Sequence, residues 1–574
     1  MKQKIRLFRS HNSLWSRFLD SNPQFFRELK GKFNTRNLII AAALSVLVQF
    51  LTVISLLGKL PELRDLSIES PLCGRYGVVT YQERVCYIQD ELGHWLVNWQ
   101  LWWLDLFITL SIVSIFALLV VGTYMLIADI VKEEARGTLN FIRLTPQSAS
   151  SILLGKILGV PILLYTAIAL LFPLHLWSGL QSHIPLFLVL SFDAIVVASC
   201  ALVYCLALLW SLLNLGVTGI KSWLASSLLI LLLWGSTAIL FFGSGMRLHH
   251  LGAYLLTFNP AIVLAYLIDA AQFNLGKSFD FLSRQDLGTL SFYGHFWWSK
   301  AAIGMTFIGF NFCLWTYWCW SVLQRRFYNP QATILSKKHS YWLTTWFVFI
   351  TLGFALQQDH AQQHYSLVDD SFFFLQVCLS LFGLGLIFAL SPHRQTLHDW
   401  ARYRHQLDTK SSLLKELVLG ENSPAIVAVA INLAIALTFI APSMFIFPQG
   451  NKTFVWGFLL SATSLVLYAA ITQFILLAKT NRRGVWSIVT VASIIILPPI
   501  CLEITDLTAS KIPLAWMFSF VPTAGVQYAS GSAIALAIFA QWLMISVIGL
   551  QTTRVLKHAG ASETKALMSR AAQN

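Results

Sequence analysis

Residues 129–148 read DIVKEEARGTLNFIRLTPQS and lie between two long apolar runs. Glu133 and Glu134 stand side by side, and Arg136 follows at the spacing that places it near Glu133 on a helix. Such a cluster offers charge for a partner to grip rather than a nucleophile or a general base. Other reactive side chains are scattered. Asp193 sits alone inside an apolar run, with Asp105 and His175 near the ends of two others. A carboxylate at the bilayer centre costs about 2.5–3.5 kcal/mol on insertion scales. Asp193 is therefore expected to face protein, either as a substrate contact or gate or as a satisfied hydrogen bond between helices. His249-His250 and the segment QQDHAQQHYSLVDD, with Asp359, His360, His364, Asp369 and Asp370, hold groups for acid–base or metal chemistry. Neither has the ordered ligand spacing of a metal site, so both read as solvated loops and no metal is expected. A phosphate-cradling loop needs G-x-x-x-x-G-K-[ST]. The nearest strings are Gly276-Lys277-Ser278, with Ala271 where the first glycine belongs, and Gly155-Lys156-Ile157. Neither fits, and no cofactor is expected on this chain.

The elements that carry these residues follow from composition. Of 574 residues, 56% are apolar and 11% charged, against roughly 25% charged in a soluble domain. Such a chain treats lipid as its solvent. A crossing helix needs about 20 apolar residues. About twelve runs qualify: 38–57, 106–128, 157–177, 184–214, 223–242, 302–323, 341–356, 371–391, 424–447, 454–478, 485–501 and 531–550. The run at 341–356 is short, and that at 485–501 carries Pro498-Pro499. The fold class is an all-α polytopic membrane protein.

No cleavable signal peptide is expected, because the first 36 residues are basic without a sustained apolar core. If the N-terminus is inside and twelve spans alternate, the inside segments hold 30 of the 40 lysines and arginines. That bias predicts a plasma (inner) membrane protein with both termini cytosolic. The formal charge of +14 is then mostly an inner-face property that suits anionic membrane lipid. No basic domain with interleaved aromatics stands clear of the membrane, so a nucleic-acid partner is not expected.

Ahead of the first span, Ser21-Asn22-Pro23 gives a helix cap and a first-turn proline. Phe25, Phe26, Leu29 and Phe33 then share one face, and Arg27, Lys30 and Lys32 the other. This predicts an interfacial elbow helix. The outside loop 59–100 holds Cys73 and Cys86, which pair if that side is oxidising and are two free thiols otherwise. The eight cysteines show no CxxC spacing. Within the outside segment 246–300, Asn259-Pro260 breaks the apolar stretch 251–271 into two short pieces. A re-entrant outer hairpin, covered by protein, satisfies such a backbone. The layout then repeats: six spans in 1–340 and six in 341–574, with Asn259-Pro260 before span six and Val521-Pro522 before span twelve. Two such halves would place a pathway between them.

Residues 130–142 read as one helix, with Val131, Ala135, Leu139 and Ile142 on one stripe and Glu133, Arg136 and Asn140 on the other. Three turns are marginal alone in water and need something to pack on. The string E-E-x-R-G-T-L, then Thr145-Pro146 and Gly155-Lys156, resembles the intracellular loop of permease subunits of type-2 ABC exporters. The motif covers about 25 residues, while the elbow, the six-span plan and the outer hairpin extend the resemblance over most of the chain. In that family the loop forms a coupling helix that docks into a nucleotide-binding subunit. The resemblance implies that Glu133, Glu134, Arg136, Gly137 and Thr138 make the contact here. It also implies a separate ATPase that carries ATP and Mg, with up to two ATPase copies per chain. The second half lacks the E-E-x-R-G-T string. SSLLKELVL (411–419) is its candidate counterpart, with Lys415-Glu416 as the exposed pair.

Two other functions compete. An ion-coupled secondary transporter needs intramembrane ionisable groups, and Asp193 is isolated. A polytopic lipid-modifying enzyme needs polar groups clustered at one membrane face. A pathway lined by Leu, Phe and Trp suits a lipid, a lipid-linked glycan or a hydrophobic drug.

Overall fold

The computed structural model describes residues 22–58, paired strand segments within 79–96, and 99–213, 219–242, 252–271, 287–288, 290–356, 365–406, 413–446, 453–480 and 482–571. Cys73, Cys86, His249, His250, the 276–278 string, Asp359, His360 and His364 lie outside the described residues, as do the side chains of Asp369 and Asp370. The disulfide and loop-chemistry readings fall there. The chain divides into two compact units, one of Met1–Leu248, Leu255–Leu290 and Phe296–Pro330, the other of His249–Tyr254, Ser291–His295 and Gln331–Asn574.

Unit 1 runs through α1 (Pro23–Lys32), α2 (Thr35–Leu57), α3 (Trp99–Ala135), α4 (Thr138–Arg143), α5 (Ala149–Gly159), α6 (Ile162–Gln181), α7 (Leu186–Leu212), α8 (Lys221–Phe242) and α9 (Ala301–Tyr328). Two small antiparallel strand pairs, Val79–Thr80 with Glu83–Arg84 and Ile88–Gln89 with Trp95–Leu96, precede α3. Unit 2 runs through α10 (Lys337–Ala355), α11 (Tyr365–Leu390), α12 (Arg394–Gln406), α13 (Leu413–Leu419), α14 (Ile426–Ile446), α15 (Thr453–Leu476), α16 (Arg483–Ile504) and α17 (Gly531–Ala571).

Among the described residues, ten helices are long and apolar enough to cross a membrane: α2, α3, α6, α7, α8, α11, α14, α15, α16 and α17. Helices also form at the other two expected positions, α9 and α10, but their polar ends and aromatics leave them outside those ten. Within α3, Ala117–Val121 widens into a π turn. Such a turn misaligns a carbonyl, and here Tyr204 of α7 donates its hydroxyl to Leu118 O at 2.7 Å. Gly122 permits the approach, because a Cβ there would lie 2.2 Å from that hydroxyl oxygen.

Each unit breaks its chain before its last long helix. In unit 1, Asn259 accepts from Ala261 N and donates to Ser236 and Thr237 of α8, so it satisfies both sides of the break. The following 3-10 turn Pro260–Val263 and helix Leu264–Ala270 are almost wholly buried. In unit 2, the short helices Pro513–Trp516 and Thr523–Val526 precede α17, and Thr523 donates to Gln376 of α11 at 2.6 Å. The centre of unit 2 is α15, whose window is 78% buried. Its Gly457, Ser461, Ala462, Thr463 and Ser464 are small, which lets neighbours close in and exchange hydrogen bonds: Gln376 donates to Ser461, and Gln541 to Ser464.

Candidate functional site

The junction between α3 and α6 is built around Lys156. This lysine is 1% exposed, and its Nζ lies 2.7 Å from Glu28 Oε1, 2.6 Å from Asp129 Oδ2 and 2.8 Å from Glu133 Oε1. Arg27 reaches Glu133 Oε1 at 2.5 Å, and Lys32 reaches Glu28 Oε2 at 3.0 Å. Three carboxylates and three cations therefore balance. Burial raises the Glu28 pKa, but Lys156 and Lys32 outweigh it and hold the carboxyl at about 2. For Lys156 burial acts downward and is likewise outweighed, by Asp129 and Glu28, so its pKa lies above the ordinary 10.5. Glu28, Asp129 and Glu133 place oxygens within 4.8 Å of one another, as a cation site needs. The lysine ammonium fills that position.

Local sequence explains the assembly. Asn22 caps α1 by accepting from Phe25 N, and its amide donates to Ser151 O of α5. Gly155 and Gly159 give α5 a flat face. A Cβ at Gly155 would lie 2.8 Å from Asn22 Oδ1 and Phe25 N, and one at Gly159 would lie 2.5 Å from Glu28 Cβ. A helix thus forms at the expected position with its predicted cap, but it turns a different face inward. Gln24, Phe25 and Glu28 are buried against α5, while Phe26 and Phe33 are exposed.

The expected single helix over 130–142 is corrected. α3 ends at Ala135, Gly137 adopts φ 70°, and α4 begins at Thr138. A left-handed residue at this point is a helix stop that glycine adopts without Cβ strain. The Thr138 hydroxyl donates to Glu133 O. Gly137 and Thr138 therefore shape the backbone turn. Glu133 is tied to Arg27 and Lys156, whereas Arg136 remains exposed and Glu134 half-buried. Leu139 and Ile142 face inward, but Ala135 of the expected stripe is exposed. The outward face of α4 is apolar: Phe141 is 74% and Leu144 82% exposed. The end of α9 braces the loop, since Gln324 donates to Ser150 Oγ and Tyr328 to Gln147 O.

In unit 2, α13 is anchored through its carbonyl end. Lys337 Nζ donates to Leu417 O, Ser423 Oγ and Pro424 O, and Tyr341 donates to Val418 O. These donors satisfy carbonyls that a helix end leaves open. Three neutral acceptors do not offset desolvation, so burial pushes Lys337 down to about 8. Lys415-Glu416 is not the exposed pair expected: Glu416 accepts from Trp400 Nε1 at 3.1 Å and pairs with Arg404 at 2.9 Å, while Lys415 is exposed. Leu413, Leu414 and Leu419 are the exposed apolar residues of α13, Leu414 the most exposed.

Asp193 meets His175 Nδ1 at 3.8 Å, and His175 Nε2 lies 2.9 Å from Ser111 Oγ. These residue types match a hydrolytic triad, but the Ser111 hydroxyl already donates to Phe107 O and is 1% exposed. The trio is a polar link between α3, α6 and α7, with His175 stacked on Phe107.

Sequence reasoning missed Glu28, Asp129, Gln324, Tyr328, Phe141 and Leu144, and placed Arg27 on an open face rather than on Glu133. The signals were small: Gly155 and Gly159 flank a lysine at helical spacing, and LQRRF closes α9. Compared with known proteins, the chain matches no family model, no curated protein and no solved structure.

Proposed function

We propose that the chain is the membrane-spanning permease of an ATP-driven ABC exporter, with twelve spans in two halves and both termini cytosolic in the plasma membrane. A separate nucleotide-binding subunit supplies ATP, Mg and hydrolysis. The elbow α1 lies in the interface, with Phe26 and Phe33 toward lipid, and the broken segment around Asn259-Pro260 is a re-entrant hairpin on the outer side. The observation that carries this reading is α4: a short helix between two long apolar ones, with Phe141 and Leu144 outward and its base locked by the Lys156 network. Contact energy concentrates in a few large buried anchors. Phe141 and Leu144 therefore seat in the ATPase cleft, flanked by Glu134 and Arg136. Glu133 acts from behind by holding α4 rigid.

The test is purification in mild detergent, asking which ATPase comes with the chain. The double substitution Phe141→Asp/Leu144→Asp should release it while the chain still folds. Unchanged recovery of the ATPase removes the coupling role.

A proton-coupled carrier is the second reading, favoured by the half-buried Asp193 beside the buried His175, with Asp193 Oδ2 unbonded. It requires transport without any ATPase, driven by a pH gradient and lost in Asp193→Asn.

A further inference from the structure

Unit 2 holds a cleft of about 1140 Å³ where α12, the end of α15 and α17 meet. Leu477, Ala478 and Val555 give it an apolar part, and Leu477 is shared with an adjoining core cluster in which Trp400 and Ala401 pack against Leu397 and Leu556. Its walls are basic. Arg394, His398 and Arg402 recur every fourth residue along one face of α12, opposite Lys479 after α15 and Arg554 and His558 of α17. Among the described residues, Asp399 is the one acidic group lining it, and it pairs with Arg402 at 3.2 Å. The charge is thus not neutralised within the cleft, unlike the balanced Lys156 network of unit 1. Two buried nitrogens facing this region, Arg394 Nε and His398 Nε2, have no hydrogen-bond partner. Buried polar nitrogens left open keep an uncompensated desolvation cost, and concentrated positive charge adds repulsion. Burial together with Arg394 and Arg402 pushes the His398 pKa down, in keeping with that repulsion.

We propose that this cleft is a binding site for a phosphate group, held between the guanidinium groups of Arg394 and Arg554. Planar guanidinium groups pair bidentately with phosphate oxygens, and an anion here would satisfy the open donors. The cleft also suits a phosphate with an apolar tail. Leu477 and Val555 line it beside the basic groups, and two of its three walls are the ends of helices apolar enough to cross a membrane. Basic pockets between membrane helices take anionic lipid headgroups in this way. The site does not depend on the coupling of α4 to an ATPase.

The experiment uses the full chain in mild detergent, with tryptophan fluorescence as the readout, because Trp400 packs on the core cluster that shares Leu477 with the cleft. Three probes are titrated: dioctanoyl phosphatidic acid, dioctanoyl phosphatidylcholine and inorganic phosphate. Saturable binding of phosphatidic acid well above the other two identifies an anionic lipid headgroup. Equal binding of phosphatidic acid and inorganic phosphate identifies a soluble phosphate. In either case Arg394→Gln should weaken binding about tenfold. The exposed Arg554→Gln should do the same without disturbing packing, and Lys338→Gln, which lies outside the cleft, should change nothing. Phosphatidylcholine binding as well as phosphatidic acid, no saturable binding of any probe, or full affinity in a correctly folded Arg554→Gln overturns the assignment.

Discussion

Lys156 Nζ on α5 lies 2.7 Å from Glu28 Oε1 on α1, although 128 residues separate them in the chain. The same ammonium holds Asp129 and Glu133 at the end of α3. One buried cation therefore fixes the angle between α1 and the loop that carries α4. Breaking a buried pair by removing one partner typically costs about 3–5 kcal/mol, because the remaining charges stay desolvated. Lys156→Met should destabilise the protein by about that amount, read as an earlier transition on SDS titration in mild detergent. Glu28→Gln should cost less, since a glutamine oxygen still accepts from Lys156. A Lys156→Met protein that unfolds at the wild-type point would show that the network carries no stability.

Two of the buried lysines, Lys156 and Lys337, should respond to pH with opposite signs. Glu28 is held at about 2, below its ordinary 4.5, so its stabilisation is present above 4.5 and fades as pH falls toward 2. Lys156 is raised above 10.5, so its contribution is full below 10.5 and is lost as pH climbs through its folded value. Lys337 is lowered to about 8 from 10.5. Between those values the unfolded chain binds more protons than the folded one, and stability rises with pH. Melting curves from pH 7.5 to 10.5 should show this rise, and Lys337→Met should remove it. A stability that falls across the window in wild type, with no change in Lys337→Met, would contradict the sign.

Gly155 and Gly137 separate packing from backbone strain. A Cβ at Gly155 meets α1 backbone at 2.8 Å, whereas one at Gly137 meets nothing within 4 Å but must adopt φ 70°. Gly137→Ala should cost about 1–2 kcal/mol from backbone strain alone. Gly155→Ala should cost a similar 1–3 kcal/mol or more. It should also lift α1, so limited trypsin digestion cuts after Arg27 faster in Gly155→Ala than in Gly137→Ala. Equal digestion rates would mean that α1 tolerates the added methyl group.

Much of the fold was legible because apolar run length is a strong signal. Helices cover all twelve expected positions, and ten are apolar enough to cross a membrane. The cap at Asn22 and the break at Asn259-Pro260 were readable because each uses a specific side-chain hydrogen bond. The site was only half legible. Periodicity carried the expected helix through 130–142, where the left-handed Gly137 divides it. The charge pattern made Glu133 an exposed contact, because nothing local marks Lys156 as its partner. Long-range ion pairs are a tertiary property: Glu28 and Lys156 carry no mutual signal in a single sequence. The same holds for Glu416, whose partners Trp400 and Arg404 lie on another helix.

On the proposed permease reading, the two units would offer unequal contacts to a motor. α4 presents Phe141 and Leu144, braced behind by the charged Lys156 network. α13 presents Leu413 and Leu414, the latter 71% exposed, braced by Lys337 and Tyr341 on backbone carbonyls. Exposed positions rarely change stability by more than about 0.5 kcal/mol, whereas a buried interface anchor is worth about 2 kcal/mol or more. Leu414→Asp should therefore leave the melting curve in place. If each unit seats its own ATPase, Leu414→Asp should reduce the copurifying ATPase from two copies per chain to one, measured by native mass spectrometry. Phe141→Asp should remove the other copy, and the double variant both. Two copies retained in Leu414→Asp would assign both ATPase contacts to surfaces other than α13.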